Sequence, residues 1–143
     1  MKKYVMDCRR EVAATRKMVA ELYKANVLGS ADVRVTFPTC IAYALERYAK
    51  AREKGRIDFA FYRDAPASAF GVTAETLECP DIRYRTSFNA SESLIARIDA
   101  VKVEAQAALS GGGKINRNWI VATIFRVAIH EAADTVHYLE ESE

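Results

Sequence analysis

Over residues 116–139 the spacing predicts one helix that carries apolar residues on two sides. Ile120, Ile124, Val127 and Ala128 form one stripe; Trp119, Phe125, Ile129, Ala132 and Val136 form the other. A helix apolar on two sides has to be enclosed on two sides, so this one is expected at the centre of the core. The chain just before it supplies part of that enclosure. Residues 91–109 repeat Leu94, Ile95, Ile98, Val101, Ala105 and Leu109 at steps of three and four, which predicts a second helix. Ser91 is suited to accept backbone N–H bonds as its N-cap, and Gly111-Gly112-Gly113 ends it. Residues 82–88 alternate Arg83, Arg85 and Ser87 with Ile82, Tyr84, Thr86 and Phe88, the period of a strand with one polar face. One strand and two helices cannot close a core, and a lone strand is not stable. The stretch 81–139 needs a partner.

The first third of the chain offers one. Residues 1–6 are compatible with a short strand, with Lys3 and Val5 on one face and Tyr4 and Met6 on the other. Asp7 is suited to cap a helix over residues 8–26, in which Val12, Val19, Leu22 and Tyr23 keep helical spacing. Leu28-Gly29-Ser30 stops it. Val33 to Phe37 alternates like a strand, and Pro38 suits the first turn of a helix over residues 39–54, with Ile41, Ala44, Leu45, Tyr48 and Ala49 as its buried face. Strand, helix, helix thus recurs in both parts, as in a diverged duplication that aligns Met6 with Phe88, Lys3 with Arg85 and Thr39-Cys40-Ile41 with Asn118-Trp119-Ile120. A competing register takes residues 33–37 as the first strand and needs a second helix over 57–68. Pro66 and the run Phe59-Ala60-Phe61-Tyr62 speak against that helix.

A polar-faced strand, a helix opening Ser91-Glu92-Ser93-Leu94-Ile95, a glycine turn and a buried helix opening Asn116-Arg117-Asn118-Trp119-Ile120 resembles the ribbon-helix-helix DNA-binding superfamily. The order of elements is similar to the single-chain tandem form, as in overdrive-binding accessory proteins of T-DNA transfer and, more loosely, relaxosome proteins of conjugative plasmids. The resemblance implies a mostly α fold with a short two-stranded antiparallel β-ribbon, a tandem ribbon-helix-helix pseudo-dimer. Residues 1–56 would form the first unit, 57–80 a connector and 81–143 the second unit, the two intertwined as one compact domain. Were the duplication absent, a homodimer would supply the second strand. Ribbons of this kind read the DNA major groove.

Charge agrees with a polyanionic partner. Residues 1–56 hold 13 Lys/Arg against 6 Asp/Glu, a net +7 within a chain whose total is +2. Arg83, Arg85, Ser87 and Lys3 are the expected base-reading residues, since Arg can donate two bonds to guanine O6 and N7. Lys114, Asn116, Arg117 and Asn118, at a helix start, are the expected phosphate contacts. A solvated strand face, with basic residues that discourage edge-to-edge pairing, is the plainer account of the same arginines.

Other chemistries fit less well. Ser110-Gly111-Gly112-Gly113-Lys114 lacks the Walker spacing, because positions 108 and 115 are Ala and Ile. His130, Asp134 and His137 share a helix face at i, i+4 and i+7, but Asp134 stands where HExxH needs its second His. Cys8, Cys40 and Cys79 are odd in number, widely spaced and without CxxC, which suits reduced thiols in a bacterial cytoplasm. No run of eighteen apolar residues exists, and Met1 to Asp7 lacks the apolar stretch of a signal peptide. Neither catalysis nor a cofactor nor a metal is expected. The function classes that remain are sequence-specific binding of double-stranded DNA, as a repressor or a DNA-transfer accessory factor working with other proteins of a DNA-processing complex, and a protein-interaction module without DNA binding.

Overall fold

The helix with two apolar stripes sits in the middle of the molecule. In the computed structural model, which describes residues 2–7, 10–29, 35–73, 85–109 and 115–139 and leaves out the side chains of 2–7, 10, 11 and 85–87, Ile120, Val121, Ile124, Phe125, Val127 and Ala128 are all at 0% exposure. The elements are β1 (Lys2–Asp7), α1 (Arg10–Tyr23), α2 (Phe37–Lys54), α3 (Phe59–Asp64), β2 (Arg85–Ala90), α4 (Glu92–Ala108) and α5 (Arg117–Ala132). Helix α5 packs on α1, α2, α3 and α4, which is the enclosure its sequence demands. Trp119 is only half-buried, at the edge of that enclosure. No helix among the described residues is long and apolar enough to cross a membrane.

Local chemistry sets the helix starts. Thr36 Oγ1 accepts from the Thr39 N–H at 3.4 Å, Ser91 Oγ from Leu94 N–H at 3.1 Å and Asn116 Oδ1 from Trp119 N–H at 2.9 Å. Pro38 lies in the first turn of α2, where its missing N–H costs nothing. Phe37, read from sequence as the end of a strand, is instead the first residue of that helix. Beyond Tyr23 the chain of α1 continues through a π-helical turn, Lys24–Leu28, that ends when Gly29 N–H donates to Lys24 C=O at 2.7 Å.

The two strands pair antiparallel, with Lys3 opposite Asn89, Val5 opposite Ser87 and Asp7 opposite Arg85. Even so, the expected fold class, a tandem ribbon-helix-helix pseudo-dimer built around a β-ribbon, is corrected. Helix dominates the described chain, the strands are only six residues each, and between α2 and β2 stand a further helix and a 3₁₀ turn whose Phe59, Tyr62 and Phe70 are buried in the core. The segment 57–80, expected to be a connector, contributes to the core: Ile57, Phe59, Tyr62 and Phe70 are at most 2% exposed. Asp58 Oδ1 accepts from Phe61 N–H at 3.1 Å and starts α3, which ends before Pro66. Phe59 and Tyr62 are three apart and so bury one face of that short helix. Burial against α5 outweighs the strand propensity of its aromatic residues.

Two more boundaries move. Helix α5 ends at Ala132 rather than running to Leu139, because Asp134 takes the left-handed conformation (φ 57°) and turns the chain away. Residues 135–139 then return along the start of α3: Tyr138 bridges antiparallel to Ile57, Asp58 N–H donates to His137 C=O at 3.1 Å and Leu139 N–H to Arg56 C=O at 2.8 Å. The second strand, described over Arg85–Ala90, extends two residues past Phe88; positions 82–84 lie outside the described residues.

After α3, a 3₁₀ turn (Ala67–Phe70) closes on Gly71, whose φ of 80° favours glycine, and a Cβ there would stand 3.1 Å from Met18 Cε on α1. The methionine end can yield; the backbone angle cannot. Gly71→Ala should therefore lower stability by about 1–2 kcal/mol, measured as the shift of a urea unfolding midpoint. An unchanged midpoint would mean that this turn adopts another backbone.

Candidate nucleic-acid interface

Strand β2 is held by its alternation. Phe88 and Ala90 are buried at 9% and 1% exposure, while Asn89 between them is exposed. Phe88 stacks on Phe37, the first residue of α2 (ring centroids 4.9 Å apart, planes 18°), and Phe37 meets Phe125 of α5 edge-on at 5.8 Å. The Arg16 guanidinium of α1 lies 5.7 Å from the Phe37 ring centroid. An aromatic column thus ties the strand pair to three helices.

Register then sorts the expected base-reading residues. Arg85 and Ser87 stand four and two positions before the exposed Asn89, and Lys3 is the partner directly opposite Asn89. In paired strands these four positions share one parity. Asp7, opposite Arg85, shares it as well and places an acidic position beside the arginine. Arg83 and Lys114 lie outside the described residues. Asn89 is a candidate that sequence reading missed, since the strand read from alternation stops at Phe88; the unbroken polar series 83, 85, 87, 89 is the signal that marks it.

The expected phosphate contacts at the start of α5 are partly engaged within the protein. Asn116 caps the helix, and Arg117 donates from Nε and Nη2 to the two oxygens of Asp99 on α4, each at 2.8 Å. That bidentate bond holds the Asp99 carboxyl below its usual pKa. Asn118 is half-buried. The structure thus brings Asn116, Arg117 and Asn118 together in one helix start and gives Arg117 a structural partner.

A second polar cluster lies at the other end of α5. His130, expected to share a helix face with Asp134 and His137, is buried at 7% exposure, and the helix ends before the other two. His137 N–H donates to the Tyr62 hydroxyl at 3.1 Å, and that hydroxyl lies 3.0 Å from His130 Nδ1. His130 Nε2 lies 3.0 Å from the carbonyl of Ala69. A carbonyl can only accept, so Nε2 carries the proton, Nδ1 accepts from Tyr62 O–H, and the ring is the neutral Nε2–H tautomer. Both ring nitrogens are thereby used within the protein, and among the described residues no group of three or more His, Cys, Asp or Glu is placed to hold a metal. Cys40 is a buried free thiol raised by burial to about 11, while Cys8 and Cys79 lie outside the described residues.

No protein-family model, curated protein or solved structure matches this chain. The family resemblance rests on its own residues alone.

Proposed function

We propose that this protein binds double-stranded DNA in a sequence-dependent way through the outer side of the β1–β2 pair, as an accessory factor of DNA processing or as a repressor in the bacterial cytoplasm. The observation that carries this reading is the register, in which Lys3, Arg85, Ser87 and the exposed Asn89 occupy one parity of two paired strands whose other parity includes buried Phe88 and Ala90. A two-stranded element fits the major groove, about 12 Å wide, and Arg, Lys and Asn are the side chains best able to donate to base edges there. Arg83 continues the same series in sequence. Asn116, Arg117 and Asn118 at the start of α5, with Lys114 close before them in sequence, are the proposed phosphate contacts.

Gel shifts of the full chain on a selected site and on scrambled duplex, across a salt series, test the reading. Affinity for both should fall steeply with salt. Arg85→Ala should remove about 1–3 kcal/mol of discrimination for the selected site and leave the fold intact. Lys114→Ala should weaken all sequences alike and reduce the salt slope by about one unit. Equal losses on both duplexes for both variants would mean that the strands do not read bases. Absence of any binding at low salt would end the proposal.

One observation favours a protein partner instead. An apolar groove between α1 and α5, lined by Met18, Leu22, Ile129, Ala132 and Ala133 with Glu21 at its edge, opens at the surface, and Val27 and Leu28 just beyond α1 are exposed. This surface suits contact with another protein of a DNA-processing complex or, if the chain does not bind DNA, with an interaction partner.

A further inference from the structure

We propose that His130 is a pH-operated latch: protonation of its imidazole releases α3, the Ala67–Phe70 turn and the returning segment 135–139 from the end of α5. The geometry carries the inference. One buried ring joins three separate pieces of chain, to Tyr62 on α3 through Nδ1, to Ala69 in the 3₁₀ turn through Nε2, and through the same Tyr62 hydroxyl to the backbone of His137. The backbone carbonyl of His130 accepts from Thr135 N–H at 2.8 Å and so fixes the turn that sends the chain back. Phe70 stacks on the ring at 4.7 Å, and Phe61 stacks on His137 at 3.5 Å. Residues 135–139 are further held by the Ile57–Tyr138 bridge, by two backbone bonds to residues 56 and 58, by Tyr138 O–H donating to Ala51 C=O at 3.0 Å, and by Val136 and Tyr138 packing at the edge of the core.

The latch has one stable protonation state. A second ring proton on Nδ1 would point at a hydroxyl that already accepts from His137 N–H. Tyr62 could take that bond only by turning its own proton into a buried space, and a donor without an acceptor is costly there. The surrounding charges do not favour the imidazolium. On α5 itself, the Arg126 guanidinium donates to the carbonyls of Tyr62 and Ala65 and lies 4.5 Å from the Phe70 centroid. Glu131, the next residue, is already held by Arg47 of α2 at 3.3 Å. On α3, Asp58 caps the helix and Asp64 is paired with Arg63 at the surface; the turn 67–70 has no charged group. In the returning segment His137 adds a second titratable ring, Tyr138 is bonded to Ala51, and Asp134 faces Lys54 at 3.8 Å. Glu21 of α1 lies along the groove by Ile129 and Ala132. Burial and, less strongly, His137 accordingly hold His130 below the ordinary imidazole value, against the bond to Ala69.

The sign follows. A group whose pKa is lower folded than free takes up protons on opening, so closure is favoured above about pH 6.5 and is progressively lost as pH falls below that value. The effect is local, because among the described residues the ring's bonds run to Tyr62 and Ala69 and not to α2 or α4. A reversible opening of this kind would vary how firmly the α3 segment covers the end of α5 between neutral and mildly acidic conditions.

Amide hydrogen exchange of the full chain at pH 7.5 and 5.5, corrected for intrinsic exchange rates, tests it. Protection of residues 59–70 and 135–139 should drop about three- to tenfold at the lower pH, while α2 and α4 keep theirs. His130→Gln, which keeps a donor for Ala69 but cannot titrate in this range, should show no such pH dependence, and His137→Gln should retain it. PH-independent protection in the wild type, or pH dependence that survives in His130→Gln and disappears in His137→Gln, would overturn the proposal. Should His130→Gln fail to fold, the imidazole nitrogens of the wild type decide by NMR. An Nε2–H ring that titrates below the ordinary value together with the Tyr62 signals supports the latch; one that titrates at the ordinary value without them refutes it.

Discussion

Phe125→Ala is expected to cost about 3–5 kcal/mol, a large share of the stability of a domain of this size. The ring is wholly buried on α5 and meets Phe37, which in turn stacks on Phe88. Truncation removes the transfer free energy of the benzyl group and leaves a cavity that close-packed neighbours fill only in part. Its effect reaches further than the helix, because Phe37 and Phe88 fix β2 above the core. Phe125→Leu, which keeps most of the volume, should cost less than about 1.5 kcal/mol. Val103→Ala, at a site 67% exposed on α4, should fall within about 0.5 kcal/mol of the wild type. Urea unfolding of the three variants gives the ranking directly. A loss at Phe125→Ala no larger than at Val103→Ala would remove α5 from the centre of the fold.

That central position was legible because a helix records its surroundings in its own periodicity. Ile120, Ile124, Val127 and Ala128 show one buried side of α5, and Leu94, Ile98, Val101 and Ala105 show the inner face of α4, without any knowledge of what packs there. The cap at Ser91 was legible for a similar reason, since it bonds a backbone N–H three residues away; Asn116, read only as the start of its helix, caps it in the same way. What failed depended on distant partners. Residues 57–70 carry Pro66 and four aromatic rings, and read as extended chain; only contact with α5, sixty residues on, makes Phe59–Asp64 a helix. His130 read only as one member of a broken metal motif, because its partners, Tyr62 and Ala69, precede it by 68 and 61 positions. The end of α5 was misplaced for want of a glycine: Asp134 takes the left-handed position that Gly usually marks. The connector was misread through its distant partners as well, since residues 57–70 between the two strand-helix-helix stretches belong to the core. For the candidate interface, alternation gave the polar positions of β2, but the capture of Arg117 by Asp99 is a contact between two helices that no spacing rule announces.

Tyr62→Phe removes a single oxygen and is expected to cost about 2–4 kcal/mol, unusually large for so small a change. The reason is what the oxygen leaves behind. The Tyr62 side chain is 1% exposed, and its hydroxyl accepts from His137 N–H while donating to His130 Nδ1. Without it a backbone donor and a ring acceptor lose their partner together, each at about 1–3 kcal/mol where water does not reach. Partial entry of water at the exposed His137 keeps the expected sum below the maximum. Tyr48→Phe is the informative comparison. That hydroxyl donates to Glu104 Oε1 at 2.9 Å, but Glu104 keeps Arg52 at 2.7 Å and its side chain is 34% exposed, so the acceptor remains satisfied. About 1 kcal/mol, the net value of an ordinary hydrogen bond, is expected there. The two tyrosines are similarly buried and undergo the same chemical change, so any difference reports the groups left unpaired rather than lost packing. Urea unfolding of both variants at pH 7.5 measures it, and equal losses would show that the His130 end of α5 is hydrated and that its hydrogen bonds do not hold the α3 segment in place.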